Sequence, residues 1–325
     1  MTTIPICFFF NHRIVIPAGV CITSLLKSAR PDTFYDIYVF HPGDLNSDHK
    51  STLTQLKNIY PNCKFNFIDV SDRFHHAHIL RGIPNVTYYR LLVPDFLLHY
   101  DKAIISDVDI IFNSDLTELY NLDLEGYYIA GVKNASCHRR YVKKIGCDPN
   151  KYVNCGFLVY NLQEMRAHKI QNSFYKLVGK KYIYLDQDII NIVCKNKVKF
   201  LPPKYNLTGG FYRIYYQDKE RLKLFFSEEE IEEGIKAFVS LAKNESQNSY
   251  PCILHYNGVN PWESLTWRHD IWWEYYRKSI YFDHYFYYKY NEIIVYGAFV
   301  DLFKKIIRYI MRKYFKRLKD KILPT

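Results

Sequence analysis

Asp107-Val108-Asp109 sets two carboxylates one residue apart, after the apolar run Ala103-Ile104-Ile105 and before Ile110-Ile111-Phe112. Apolar residues on both sides fit a strand that crosses a core and breaks at its carboxyl end. In open α/β sheets that edge is where ligands bind. Two carboxylates left unpaired there repel each other and lose hydration, so a positive charge is expected between them. A divalent metal carrying a diphosphate meets that need. Taken alone, the pair also fits a solvated loop or a helix cap, and the chain holds a second pair at Asp186 and Asp188.

Other segments carry groups of the same kind. His255-Tyr256-Asn257-Gly258 follows the apolar Ile253-Leu254, which puts a histidine at another strand end. A lone histidine there is commonly structural. Two aspartates and a histidine converging on one edge suit Mn²⁺, because imidazole is a softer ligand than Mg²⁺ prefers, although Mg²⁺ also takes carboxylates. Gly258 lets the backbone approach a phosphate, and Pro261-Trp262 stiffens the loop. Asp186-Gln187-Asp188 opens a helix, where its carboxylates also serve as N-terminal caps. Asn154-Cys155-Gly156 precedes a strand and equally fits an ordinary turn. Arg90, in Tyr88-Tyr89-Arg90, is a cation near the sheet edge or a member of a surface ion pair. His75-His76-Ala77-His78 has no Cys or His partner at zinc-finger spacing and is expected to form a mobile loop.

These groups need a framework, and the first two-thirds of the chain supplies a β-α-β-α alternation. Strands are predicted at Ile4–Phe10, Tyr35–Phe40, Lys64–Ile68, Ala103–Ser106, Tyr127–Val132 and Gly156–Tyr160, with a short buried strand at Pro251–Leu254. Helices are predicted at Pro17–Ala29, Ser47–Ile59, Thr87–His99, Leu162–Ala167 (capped by Asn161), Gln187–Cys194 and Glu228–Lys243. That order argues for an α/β fold, a single mostly parallel sheet flanked by helices.

The 325 residues, 48% hydrophobic and 24% charged, are ordinary for a globular protein with a sizeable core. The aromatic share of 18%, with 31 Tyr and 22 Phe, is high and serves stacking on sugars, bases or a membrane interface as well as core filling. Eight cysteines without a Cys-x-x-Cys pair fit reduced, buried thiols in a cytoplasmic protein. No secretory signal or apolar stretch of transmembrane length is apparent. Most of the net charge of +11 is at the end, where the last 22 residues hold nine basic residues and one acid. Phe303, Ile307, Ile310, Tyr314 and Leu318 fall on one helical face, with Lys304, Lys305, Arg308, Arg312, Lys316 and Lys319 around the other. Such a basic amphipathic extension is expected to lie on an anionic membrane surface, a solvated helix end or a nucleic-acid contact being the alternatives.

The order of these segments resembles glycosyltransferase family 8, retaining enzymes that include bacterial lipopolysaccharide galactosyl- and glucosyltransferases and glycogenin. The resemblance covers roughly residues 4–280. It is carried by Tyr89-Arg90-Leu91, Ser106-Asp107-Val108-Asp109, Tyr152-Val153-Asn154-Cys155-Gly156 with Asn161-Leu162, Leu185-Asp186-Gln187-Asp188-Ile189-Ile190-Asn191, and His255-Tyr256-Asn257-Gly258 with Pro261-Trp262. It implies a nucleotide-sugar-binding fold of the GT-A type and a UDP-hexose donor held through Mn²⁺ (or Mg²⁺). By position, Asp107, Asp109 and His255 would be the metal ligands. Asn11, Arg90, Asp107, Val108, Asp109, Asn154, Gly258 and Asn260 would lie along the donor. Asp186 would hold sugar hydroxyls, and Gln187 would lie beneath the anomeric carbon.

The chain also departs from the family. Its last motif usually reads His-x-x-Gly-x-x-Lys-Pro-Trp, with the lysine on the leaving phosphate. Gly258-Val259-Asn260-Pro261-Trp262 is one residue shorter and has Asn260 in the lysine's place, so another cation such as Arg268 would have to substitute. Asn11-His12-Arg13-Ile14 stands where an aspartate and an aromatic usually meet the uracil, and Asn134 replaces a common aspartate.

The expectation is a catalytic domain over 1–265 and an aromatic, basic membrane-associating segment over 266–325. The enzyme would be cytoplasmic, peripheral on the inner face of the membrane, passing glucose or galactose from a UDP-sugar to a glycan or glycolipid acceptor such as lipopolysaccharide or lipooligosaccharide, with no nucleic-acid partner. A nucleotidyltransferase is disfavoured because Asn11–Gly19 lacks a triphosphate-binding set of Gly, Lys and Arg. A purely binding protein would leave Asp107, Asp109 and His255 without a joint purpose.

Overall fold

A computed structural model describes residues 1–80, 85–240 and 252–289 continuously, and beyond them only residues 292, 296–297, 299–300, 302–304, 306–307 and 311. Among the described residues ten strands form two sheets: β1 (Thr2–Phe9), β2 (Thr33–His41), β3 (Cys63–Asp69), β4 (Lys102–Ser106), β5 (Ile110–Phe112), β6 (Ile129–Lys133), β7 (Val153–Asn161), β8 (Val198–Leu201), β9 (Leu207–Thr208) and β10 (Ile253–His255). Seven make the main sheet in the order β3-β2-β1-β4-β7-β6-β8, and β5-β10-β9 make a small one. Only the pairings of β7 with β4 and with β6 are antiparallel in the main sheet.

The mixed α/β architecture with a mostly parallel central sheet matches the expectation, and the second sheet adds to it. Ile110–Phe112 does not prolong β4. The chain bends at Asp107-Val108-Asp109, Val108 turns into the core, and β5 pairs instead with β10. All nine residues of β7 are buried, as are eleven of the thirteen residues of the helix Val15–Lys27. Both elements are covered on all sides, which is why they read as continuous apolar runs.

Two helices differ from expectation. Residues 47–59 form two short helices, Ser47–Thr54 and Leu56–Ile59, capped by the Asn46 side chain, which accepts from His49 N at 2.9 Å. Residues 85–92 wind as a 3₁₀ helix and only Val93–Phe96 is α-helical, with Pro94 in its first turn, where no backbone donor is needed. Asn161 does cap Leu162–Ala167, accepting from Glu164 N at 3.1 Å.

The helix His269–Lys278 buries Trp272, Trp273, Tyr275 and Tyr276 in the same core as β1 and the helix Val15–Lys27. A side chain at Gly19 would collide with the Tyr281 ring, so this contact is close. The first part of the segment 266–325 therefore packs into the same core as the main sheet. The basic face from Arg308 onward lies outside the described residues.

Candidate active site

The site forms where the two sheets meet. Asp107 leaves β4 and is held to the main sheet by its N–H, which donates to Gly156 O at 2.7 Å. Asp109 immediately precedes β5, whose Ile110 is the register partner of His255 at the end of β10. Tyr256 N then donates to Asp109 O at 2.9 Å. This pairing brings His255 Nε2 to 3.3 Å from Asp109 Oδ1 and 3.7 Å from Asp107 Oδ2. One ligand atom from each of the three residues lies within 4.8 Å of the others.

The cradle fits a divalent ion on two observations. A Cβ at Gly156 would strike the His255 imidazole and lie 2.7 Å from Asp107 Oδ2, so only glycine leaves the space open. His255 Nδ1 lies 2.9 Å from Asn206 Oδ1, which suits a ring that donates from Nδ1 and turns Nε2 toward the carboxylates, where its lone pair would meet a divalent ion held with them. Burial alone would lower the His255 pKa, but the Asp109 and Asp107 carboxylates outweigh it and raise it. Burial raises the Asp107 carboxyl, with Arg90 offsetting only part of the effect, whereas the His255 charge and hydrogen bond hold Asp109 low against its own burial. A proton on His255 thus fills the electrostatic role that a metal ion would take.

Arg90 is buried and joins three elements. It donates to Cys155 O, to Asp107 Oδ1 at 2.5 Å and to Thr87 O at 3.1 Å, and its Nε lies 3.0 Å from Asp186 Oδ2. Thr87 Oγ1 donates to the other Asp186 oxygen. Burial pushes the Asp186 carboxyl up to about 6 even with Arg90 beside it. Leu185, just before the helix Asp186–Cys194, holds φ +53°, a conformation that costs a leucine on the order of 1–3 kcal/mol. That turn brings both Asp186 and Gln187 to the wall of a cavity of about 680 Å³.

Gln187 is fixed at both ends: its Oε1 accepts from Cys155 N at 3.0 Å and its Nε2 donates to Tyr152 OH at 3.3 Å. Asp188 points away from the cavity and is fully buried. It accepts from Tyr152 OH at 2.5 Å, Tyr141 OH at 2.6 Å and Tyr184 N at 2.9 Å. The second aspartate of this pair therefore braces the loop that carries the first.

The cavity wall includes Arg90, Asp107, Asp186, Gln187 and Gly258, with Asp109 and His255 reaching Asp107 from behind it. Gly258 has φ +106°, which glycine alone adopts readily. Four other expected donor-side residues stand elsewhere. The Val108 side chain is in the core. Asn154 is buried behind the triad, its Oδ1 accepting from Gly156 N and from Asn206 Nδ2, so it supports His255 through Asn206. Asn11 caps a turn by accepting from Arg13 N at 3.1 Å, and Asn260 donates to Glu263 at 3.1 Å; neither lines the cavity. Arg268 is turned to Asp270 and Phe238 O and supplies no cation there. Asn134, at the aspartate's place, does line the wall. Among the described residues His75, His76 and His78 join no metal-holding group. The eight cysteines are all free and buried. Sequence reasoning missed Asn206, Thr87, Arg213 and Trp267, none of which stands in a motif.

The profile of Glycosyl transferase family 8 matches residues 5–266, and the chain belongs to that family. It is 33% identical over 218 residues to a Haemophilus influenzae protein named as a glycosyltransferase, a match covering 63% of this chain and 64% of that protein. The chain thus spans just under two thirds of that relative's length. It is 25% identical over 299 residues to a lipopolysaccharide 1,2-glucosyltransferase of Escherichia coli, covering 86% of this chain and 77% of that one. The fold is similar to that of the galactosyltransferase LgtC, solved with donor and acceptor sugar analogues, at a TM-score of 0.67 and 22% identity over 86% of this chain and 98% of LgtC. The chain is therefore a member of glycosyltransferase family 8 with a GT-A-like fold, and Asp107, Asp109 and His255 form a cluster with the ligand set of a divalent-ion site.

Two predictions follow from the buried supports. Asn206→Ala frees the His255 ring and is expected to weaken Mn²⁺ binding by about 10- to 100-fold, measured by calorimetry; an unchanged affinity would show that the contact does not orient the ligand. Asp188→Ala leaves two enclosed tyrosine hydroxyls without their acceptor and should cost about 3 kcal/mol of stability, read from urea unfolding.

Proposed function

We propose that the protein is a retaining hexosyltransferase that moves glucose or galactose from a UDP-sugar to a bacterial surface glycan such as lipopolysaccharide or lipooligosaccharide, with Mn²⁺ as its preferred ion. The observation that carries this is the Gly156-bounded triad Asp107, Asp109 and His255, next to a cavity that Asp186 and Gln187 enter from the opposite element. When bound, the divalent ion would hold the donor diphosphate and stabilise charge on the departing nucleotide. The histidine favours Mn²⁺ over Mg²⁺.

The chain's own groups do the rest. Each Asp186 oxygen is engaged by Thr87 or Arg90 and keeps a further lone pair for sugar hydroxyls. Gln187 has its carboxamide oxygen loaded by the Cys155 N–H, which further lowers an already weak nucleophilicity. That favours front-face attack, with the amide dipole stabilising positive charge at the anomeric carbon, over a glycosyl-enzyme double displacement. Arg90 is too tightly paired to move and acts by fixing Asp107 and Asp186 relative to each other.

Membrane attachment belongs to the same proposal. Among the described residues no helix is long and apolar enough to cross a membrane. Phe299, Leu302, Phe303, Ile306, Ile307 and Met311 are exposed, beside the basic residues of the sequence's end. Such a surface brings an enzyme to a lipid-linked acceptor at the inner leaflet, each basic residue adding ~1 kcal/mol near anionic lipid.

UDP-glucose or UDP-galactose should be turned over with Mn²⁺, with the α-anomeric donor giving an α-linked product by NMR. Asp109→Asn should reduce turnover at least about 100-fold by weakening the ion; activity that survives this change would remove the metal role. Deleting residues 299–325 should abolish binding to vesicles containing anionic lipid while UDP-sugar hydrolysis continues. Full retention of vesicle binding would refute the anchor.

A further inference from the structure

The donor side of the cavity is short of positive charge. Asp107, Asp109 and Asp186 face one guanidinium, that of Arg90, and its donors are already committed to protein acceptors. A divalent ion brings this set to neutrality before any substrate phosphate enters. Asn260 adds no charge, and Arg268 is paired with Asp270.

Among the described residues on the cavity wall, one further cation is present: Arg213. It lies in the helix Gly209–Gln217, which follows directly on β9. Thr208, the cap of that helix, is the register partner of His255, so the helix starts beside the metal-binding cluster. Gly209 and Gly210 of the same first turn also line the cavity, and a side chain at Gly209 would collide with the Trp267 indole on the adjoining wall. Arg213 is exposed and makes no hydrogen bond or ion pair with any described residue. Arg90, the other arginine among the described residues of the wall, is tied down. An unpaired guanidinium on a concave wall presents a planar fork of donors that matches a phosphate.

We propose that Arg213 binds a phosphate group of a substrate in this cavity and so supplies the charge that Asn260 lacks. The proposal rests on the glycosyltransferase reading of the cavity. Two sources share the chemistry: the diphosphate of the donor, and a phosphate carried by the acceptor glycan.

The test uses the full chain loaded with Mn²⁺, as wild type, Arg213→Ala and Arg213→Lys. One arm measures UDP affinity by calorimetry and UDP-sugar hydrolysis without acceptor. The other measures transfer to a phosphorylated core oligosaccharide and to the same oligosaccharide after phosphatase treatment. Losing a charge-assisted contact should cost about tenfold in one arm, with Arg213→Lys recovering most of the loss. A fall in UDP affinity assigns the donor diphosphate. Unchanged UDP affinity with a loss of transfer confined to the phosphorylated oligosaccharide assigns the acceptor. Unchanged values in both arms, or a transfer loss equal for both acceptors with UDP affinity intact, overturns the proposal. Absence of UDP affinity in the wild type is a different failure, that of the glycosyltransferase reading itself. Because the side chain has no partner among the described residues, the thermal unfolding of all three forms should coincide.

Discussion

Asp107 and Asp109 stand side by side at a strand end, and their mutual repulsion is the constraint around which the site is arranged. Each is answered by a different group: Arg90 takes Asp107 at 2.5 Å, and His255 takes Asp109 at 3.3 Å. The two answers come from distant parts of the chain. One is a 3₁₀ helix before β4 and the other is the last strand of the small sheet. Asp107 is satisfied only when residues 85–92 pack against the end of β4, and Asp109 only when β5 and β10 are in register, so together the charges tie the geometry of the site to both sheets. Removing one partner would leave a charge in a poorly solvated place, a larger penalty than the contact itself is worth.

The same economy of elements appears around Asp186 and Asp188. These two residues lie on one turn of helix yet face opposite ways. Asp186 faces the cavity and Arg90; Asp188 faces a ring of tyrosines. Tyr152 links Asp188 to Gln187, since its hydroxyl donates to Asp188 and accepts from Gln187. The strained Leu185 backbone persists because these bonds on its far side hold it. Gln187 is therefore positioned by a network with no freedom to rotate, which suits a group that stabilises developing charge.

Much of this was legible in the chain. The parallel sheet followed from unbroken apolar runs, and Asp107, Asp109, Asp186 and Gln187 stood at strand and helix ends where chemistry is placed. What could not be read was pairing at a distance. Nothing near Asn206 marks it as the support of His255, because its role arises from a register between two- and three-residue strands too short to show a period. Asn154 was assigned to the sugar for its position in a motif, but its oxygen is spent on Gly156 N and Asn206. Asn11 and Asn260 likewise bond to their own loops. Short polar side chains next to turns satisfy local backbone first, and sequence position alone does not distinguish that use from ligand binding.

The site then divides into two halves of different character. The half proposed to take the donor, with Asp107, Asp186, Gln187 and Arg90, is locked by hydrogen bonds that are mostly buried and that join β4, β7 and the helix Asp186–Cys194. The other half consists of Asn257, Gly258 and Val259, the first turn of Gly209–Gln217, Thr266 and Trp267. Here the backbone is carried by loops and a helix start; Gly258 has open space about it, whereas Gly209 and Gly210 let Trp267 and Ser136 approach closely. In the proposed reaction, bond-making at the anomeric carbon needs the first half fixed to within a fraction of an ångström. The second half touches the Asp107, Asp109 and His255 cluster at two places, the Thr208–His255 pairing and the chain that runs on from His255 to Asn257, so it varies most freely away from them. Differences in acceptor among family members with this fold are then expected to arise in the second half, on surfaces positioned by the rigid sheet but not part of its core.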